Sequence, residues 1–400
     1  MSVFKLADIL LPDSIDMEKW SVVACDQYTA QPEYWQRVAK FTGDSPSTLN
    51  IVYPEAFLSE GDSRIEKINQ KMQEYLDSKV FFSLKDSLIY VERTVNSGKI
   101  RRGVVGAIDL ECYDFSKGSK SEIRATEGTI IERIPPRVKI RENAPLELPH
   151  AILLMNDEPD EVIGKIVKEK LIYDFDLMEG GGHISGWQLS GDVAEALIDR
   201  VNKYAQNQKD NLVFAVGDGN HSLATAKTCW ENLKKTLTEA ERETHPARFC
   251  LVEIENIHDK ALEFEPIHRV VFGENAQKVL DDFKKYYSVS ENPTEGSQLI
   301  TAVYGGKKVD LYVKNPSSKL EVGTLQNFLD SMGYEIDYIH GSDVTEALAK
   351  KDNTIGFILP CPDKSQLFEG VIADGALPRK TFSMGEANEK RFYLEAKKII

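Results

Sequence analysis

Cysteine is scarce and scattered. The five residues Cys25, Cys112, Cys229, Cys250 and Cys361 are odd in number and form no C-x-x-C pair, so neither a zinc knuckle nor a disulfide framework is signalled. No run of about 18 apolar residues occurs, which removes a helical membrane span. The opening MSVFKLADILLPDSID lacks a basic start and a long apolar stretch, so a signal peptide is not read there and the expectation is a cytoplasmic protein. Positive charge is also short. Lys and Arg number 49 against 64 Asp and Glu, a formal charge of −15. Such a surface repels nucleic acid, which binds by exchanging its counterions for basic side chains. A small anion in a local basic pocket is still allowed. Repeats and low-complexity stretches are absent. With 42% hydrophobic and 28% charged residues the 400-residue chain reads as ordinary globular protein, long enough for two or three domains.

The patterning that is present is mixed α/β. A short buried strand is predicted at 22–24, then a helix from Pro32 to about 41, where proline costs no hydrogen bond. An amphipathic helix follows over 62–78, with Ile65, Ile68, Met72 and Leu76 on one stripe. The turn Asn96-Ser97-Gly98-Lys99 joins strands at 87–95 and 103–110 into a hairpin. Pro135-Pro136 is expected to end any helix that starts near Ala125. Strands at 152–155 and 171–175 flank a predicted helix at 158–168, and a helix at 190–205 follows the glycine loop 178–183. Residues 212–216 are apolar without alternation, as in a strand covered on both faces. The last third alternates strands and helices. The expected divisions are an N-terminal α/β part at 1–120, a core at 121–265 and a C-terminal α/β part at 266–400.

The densest chemistry lies in Gly217-Asp218-Gly219-Asn220-His221-Ser222, between a predicted strand and a predicted helix. Glycines let backbone approach a ligand closely, and the first amides of a helix point at whatever sits over the turn. Asp218 is the candidate metal ligand, and Gly217, Gly219, Asn220 and Ser222 the candidate phosphate contacts. The plainer reading is a connecting turn in which Asn220 caps the helix and His221 is merely solvated. The spacing fits neither a Walker loop nor Gly-x-Gly-x-x-Gly. A second cluster is Arg124, Glu127, Arg133, Arg137 and Arg141, where a carboxylate among arginines is a candidate general base and otherwise a solvated ion pair. Gly180-Gly181-Gly182-His183 reads as a connector, a lid or a second cradle. His268-Arg269 and the basic loop Pro378-Arg379-Lys380-Thr381 are candidate anion contacts. Cys25 follows a strand next to Asp26, and a thiol enzyme built on Cys25 and His221 is a third-ranked possibility.

The ordered series Arg102-Gly103, Ile123-Arg124-x-x-Glu127-x-Thr129, Gly217-Asp218-Gly219-Asn220-His221, Pro266-Ile267-His268-Arg269, His340-Gly341 and Leu377-Pro378-Arg379-Lys380-Thr381 resembles the bacterial and archaeal family catalogued as domain of unknown function 1015. That family looks related to the ParB/sulfiredoxin-like fold, in which an Asp-Gly-His-His-Arg type turn binds nucleotide phosphates and some members phosphorylate free L-serine. By this resemblance Asp218, Gly219 and His221 match the phosphate turn, and Glu127 matches the acid of a His-Glu element. Asn220, Ser222 and Thr126 depart from it. Ser222 replaces an arginine that would clamp phosphate bidentately, so the charge is expected from Lys227, Arg124, Arg269 or Lys380.

The expectation is therefore an α/β (α+β) protein with a ParB/sulfiredoxin-like core acting as a nucleotide-dependent kinase on a small hydroxy amino acid, free L-serine first. Glu127, Asp218 and His221 are the expected catalytic residues. Gly217, Gly219, Asn220, Ser222, Arg124, Arg269 and Lys380 are the expected phosphate contacts, and Mg²⁺ at Asp218 with ATP or ADP completes the set. Partners are a nucleotide and a small-molecule substrate, with no nucleic acid and no membrane; a homodimer is compatible with this reading. The alternative is a nucleotide-binding switch without turnover.

Overall fold

The computed structural model describes residues 2–29 and 31–400. The chain forms two compact units. The first comprises the described residues up to Ala125, then Thr129–Leu262 and Glu386–Ile400; the second is Thr126–Gly128 with Glu263–Gly385. The division expected near residue 120 is therefore not a boundary between compact units. Strands from both sides of it share one sheet, so hydrogen bonding ties 1–120 and 121–265 together. The last fifteen residues also leave the C-terminal part and return to the first unit.

The first unit is built on an eleven-stranded mixed sheet. Its central order is Phe81–Thr94, Ile100–Asp109, Phe249–Asn256, Ile152–Met155, Phe214–Asp218 and Ile123–Ala125. The hairpin through Asn96–Lys99 forms as expected, with Val91 opposite Gly103 and Thr94 opposite Ile100. Phe214–Asp218 runs parallel to Ile123–Ala125 and antiparallel to Ile152–Met155. Both faces of this sheet are covered. On one, Leu153, Phe214, Val216 and Ile254 pack with Leu223, Ala226 and Trp230 of the helix Asn220–Leu233. On the other, Leu251, Val105 and Ile89 meet Trp35, Val22, Phe392 and Tyr393. Two-sided burial explains why 212–216 carries no polar alternation.

Two local expectations fail for identifiable reasons. Ile123–Ala125 is a strand, and the helix Ile134–Arg141 begins at Pro135-Pro136 rather than ending there. The first turn of a helix has no use for those amides, so proline opens a helix as readily as it stops one. No helix forms at 158–168. Asp157 and Asp160 accept hydrogen bonds from the amides of Val162 and Gly164 instead, diverting the backbone from helical pairing. The glycine loop is a connector, the tight connection of the hairpin Lys170–Leu177 and Gly182–Leu189. Gly182 has φ +81°, and a Cβ there would fall 2.0 Å from the Thr94 carbonyl oxygen.

The second unit holds a seven-stranded sheet centred on Phe264–Phe272, which pairs antiparallel with Thr354–Ile358, Ile336–His340 and Phe382–Met384. The helices Ala276–Tyr286 and Glu321–Met332 bury Phe283 and Phe328 edge-on, ring centroids 5.0 Å apart.

Candidate functional site

The turn 217–222 stands at the carboxyl end of Phe214–Asp218, where the strand yields to the helix Asn220–Leu233. Gly219, not Asn220, is the N-cap residue; its φ of +77° is left-handed and it has no side chain to satisfy the first-turn amides. Glycine is required twice over, since a Cβ would also come within 2.8 Å of Ala151 Cα. The Asn220 Oδ1 is buried and has no hydrogen-bond partner, as is the Thr129 Oγ1. Gly217, Asp218, Asn220, His221 and Ser222 are all half-buried, so the turn is reachable. A helix start with uncapped amides and unspent side-chain polar atoms is an arrangement that receives an anion.

His221 lies at this helix start in its neutral form. Burial pushes its pKa down to about 4, and the neighbouring Arg137 and Arg133 add to the depression while Asp26 opposes it. Its Nε2 accepts the amide of Ile130 at 3.4 Å, which leaves the proton on Nδ1. His221 therefore offers a hydrogen-bond donor at neutral pH and no general base at Nε2. The helix Ile134–Arg141 packs against Asn220–Leu233 and carries Arg137, with Arg133 just before it. Arg133 is exposed, whereas Arg137 pairs with Glu55 and donates to the Arg133 carbonyl at 2.7 Å. Lys390 reaches Asp218 Oδ2 at 3.4 Å from the returning C-terminal segment.

Asp218 does not present itself as a metal ligand. Its Oδ1 accepts the Gly219 amide at 2.8 Å, and its Oδ2 faces the Lys390 ammonium. Among the described residues no group of three His, Cys, Asp or Glu is arranged to hold a metal ion. Mg²⁺ needs only one or two carboxylates beside phosphate oxygens, but here the one carboxylate of the turn already has a cation beside it.

The other expected residues are placed as follows. Arg124 is buried and spent on structure: its guanidinium donates to Ser121 O at 2.8 Å, to the Asp210 carboxylate at 3.0 Å and to the Asp210 carbonyl. Lys227 is also engaged, with Leu110 O at 2.8 Å and Glu231 at 2.8 Å. Glu127, Arg269 and Lys380 belong to the second unit. There Glu127 bridges in parallel to Leu377, and its Oε1 accepts the Thr381 amide at 3.3 Å. Arg269 is fully buried and donates to the carbonyls of Ile267, Arg379 and Lys380, so it shapes the basic loop from beneath; burial lowers its pKa to about 10. Lys380 is exposed, and its ammonium lies 5.6 Å from the centre of the Tyr338 ring. Burial pushes the Cys25 thiol up to about 12, with Asp26 adding to the shift, which disfavours the thiolate that a thiol enzyme would need there.

Two cavities, of about 500 and 410 Å³, lie elsewhere in the first unit, beside Lys5 and Phe249 and beside Trp35 and Phe57. Neither is lined by the turn residues.

The sequence places Gly217–Ser222 between a strand and a helix, as the structure does, and groups Arg133 and Arg137 in its arginine cluster. Nothing local marked Lys390, which is distant in sequence from the turn.

The chain belongs to the family described as Protein of unknown function (DUF1015), whose profile matches residues 11–332. No curated protein matches the chain. Among solved structures, free serine kinase in complex with AMP is 12% identical with a TM-score of 0.38, over 72% of this chain and 94% of that one. SbnI with a C-terminal truncation, from Staphylococcus aureus, is 10% identical with a TM-score of 0.37, over 72% and 82%. A conserved hypothetical protein from Pyrococcus furiosus is 12% identical with a TM-score of 0.34, over 68% and 92%. Among the described residues no helix is long and apolar enough to cross a membrane.

Proposed function

We propose that this protein binds a nucleotide by its phosphates at the turn 217–222 and transfers a phosphoryl group to a small hydroxy amino acid, free L-serine being the first acceptor to test. The observation that carries the phosphate site is convergence. Uncapped amides of the helix Asn220–Leu233 and the neutral donor His221 stand at one helix end, with the cations Arg133 and Arg137 of the neighbouring helix region close to His221, inside a chain of net charge −15. The choice of phosphoryl transfer, and of serine, comes from the resemblance to the family in which some members carry out that reaction.

In such a transfer the acceptor oxygen bonds to phosphorus as the bond from phosphorus to the nucleotide's leaving oxygen breaks, and the hydroxyl proton goes to a carboxylate. Positioning and charge neutralisation supply most of the acceleration. Glu127 is the residue proposed to take that proton. Because Asp218 has Lys390 for a neighbour, no step here is routed through a metal.

The test is nucleotide binding by calorimetry followed by a serine-dependent product assay. Binding with product supports the kinase. In that case Glu127→Gln is expected to lower turnover by at least about 100-fold, the low end of the usual general-base contribution, with nucleotide affinity unchanged. Retained turnover removes Glu127 from the role. Binding without product supports the second reading, a nucleotide-responsive switch, which the serine at position 222 in place of the family's arginine favours. Absence of binding overturns both.

A further inference from the structure

We propose that Lys390, delivered by the segment Glu386–Ile400, is a phosphate-binding residue of the turn 217–222, its ammonium taking the place beside Asp218 that a divalent cation would otherwise fill. The inference rests on the phosphate reading above and assigns a residue that the family's matched region, 11–332, does not contain.

The ammonium has donors to spare. It stands 3.4 Å from Asp218 Oδ2 without the alignment of a hydrogen bond, and among the described residues it makes no other ion pair or hydrogen bond. A lysine ammonium carries three N–H donors and no acceptor. Its side chain is only 15% exposed, so water does not surround it as it would a surface lysine. A half-buried ammonium with unspent donors, beside uncapped helix amides, is poised for phosphate oxygens.

Its position is built rather than incidental. The buried Arg93 donates to the carbonyls of Asn388 at 2.6 Å, Glu389 at 3.1 Å and Lys390 at 2.6 Å, and Arg101 donates to Glu389 O at 3.2 Å. Immediately after Lys390, the Ala24 amide donates to Arg391 O at 2.9 Å, and Phe392–Tyr393 pairs with Val22–Val23 as a two-stranded sheet. Arg391 itself is buried between Glu253 and Glu395, 2.8 Å from each. Two guanidinium groups and a strand pairing therefore fix the backbone on both sides of one lysine.

The experiment measures binding of ADP, AMP, inorganic phosphate and adenosine to the full chain, as wild type, Lys390→Met and Lys390→Arg, in EDTA and again with Mg²⁺. The expected result is that Lys390→Met weakens ADP by about 10- to 100-fold, as loss of one charge-assisted bond requires. AMP should weaken less and adenosine not at all. Lys390→Arg should recover most of the loss, and EDTA should leave wild-type ADP affinity unchanged. Equal affinity of wild type and Lys390→Met for ADP overturns the assignment while the phosphate site stands. Equal losses for adenosine and ADP overturn it too, because that pattern belongs to a disturbed fold. Wild type that binds none of the phosphates removes the site and the assignment together. Should Lys390→Met fail to fold, acylation of lysines in the wild type, read by mass spectrometry, replaces it. ADP should then slow labelling of Lys390 and adenosine should not; equal labelling with either ligand overturns the proposal.

Discussion

A neutral histidine at the proposed phosphate site is at first sight the wrong choice, since an imidazolium would attract phosphate more strongly. The neighbours of His221 explain it. With Arg137 and Arg133 close and the ring desolvated, a third positive charge is disfavoured, and the ring contributes an N–H dipole instead. The consequence for stability has a definite sign. The folded value of about 4 lies below the unfolded value of 6.5, so the unfolded chain takes up the proton first as pH falls. The stability at stake is fully present above about pH 6.5 and is lost progressively toward pH 4. A histidine NMR titration is expected to place the His221 midpoint near 4, and phosphate binding should show no inflection from this residue between pH 6 and 8. A midpoint near 6.5 would refute the neutral assignment. At this scale the sequence was half legible. Gly217 to Ser222 were readable because strand, turn and helix are contiguous. Arg124 and Arg269 were misread, because charge alone does not say whether a guanidinium faces a ligand or a set of backbone carbonyls.

Among elements, the segment Glu386–Ile400 departs furthest from what a reader of the chain would expect. It contributes two short strands, Phe392–Tyr393 and Lys397–Lys398, to the first unit. Arg93 is its principal anchor, meeting the carbonyls of three successive residues and that of Gly181. Arg93→Met would take this donor from the carbonyls of Gly181, Asn388 and Lys390, with Arg101 still donating to Glu389 O. The expected cost is about 2 to 4 kcal/mol of stability, measured by chemical denaturation, with faster amide exchange concentrated in residues 386–393. An unchanged exchange rate there would mean that the strand pairing alone holds the segment. Most helices and strands were legible from periodicity, including the hairpin at Asn96–Lys99 and the amphipathic helix Asp62–Asp77. The failures came where side chains compete with backbone, as at Asp157 and Asp160, or where proline has two opposite uses, as at Pro135-Pro136. Pairing between the segment's strands and Val22–Val23 or Leu146–Glu147 is a long-range choice, and local propensity carries no information about it.

Across the whole molecule, charge is organised by burial more than by number. A net −15 coexists in the first unit with a buried group of Arg93, Arg101 and Arg391 set against Glu253, Glu255 and Glu395. Glu255 is fully buried, and burial raises its carboxyl to about 8, with Arg101 pulling the other way. Since this folded value exceeds the unfolded 4.5, the folded state holds the proton over a range where the unfolded chain has released it. Stability from this group is therefore present at low pH and lost as pH climbs through about 8. Denaturation midpoints compared at pH 6 and pH 9 should fall for the wild type and fall less for Glu255→Gln. An equal fall in both would remove Glu255 as the cause. The alternation of predicted strands and helices pointed to the α/β class, but it could not show that Thr126–Gly128 belongs with the second unit, a three-residue excursion with no linker signature.

The order in which the chain emerges during synthesis gives the returning segment one more meaning. A ribosome makes the strand and helix that flank Gly217–Ser222 first, then every residue of 263–385, and only afterwards the anchors Phe392 and Tyr393. Until then, Val22, Val23 and the guanidinium of Arg93 lack their covering, so a nascent chain passes through a stage with an uncovered apolar face. Termination between Gly385 and Phe392 would strand the protein in that sticky, half-finished form, a natural target for chaperones and proteases.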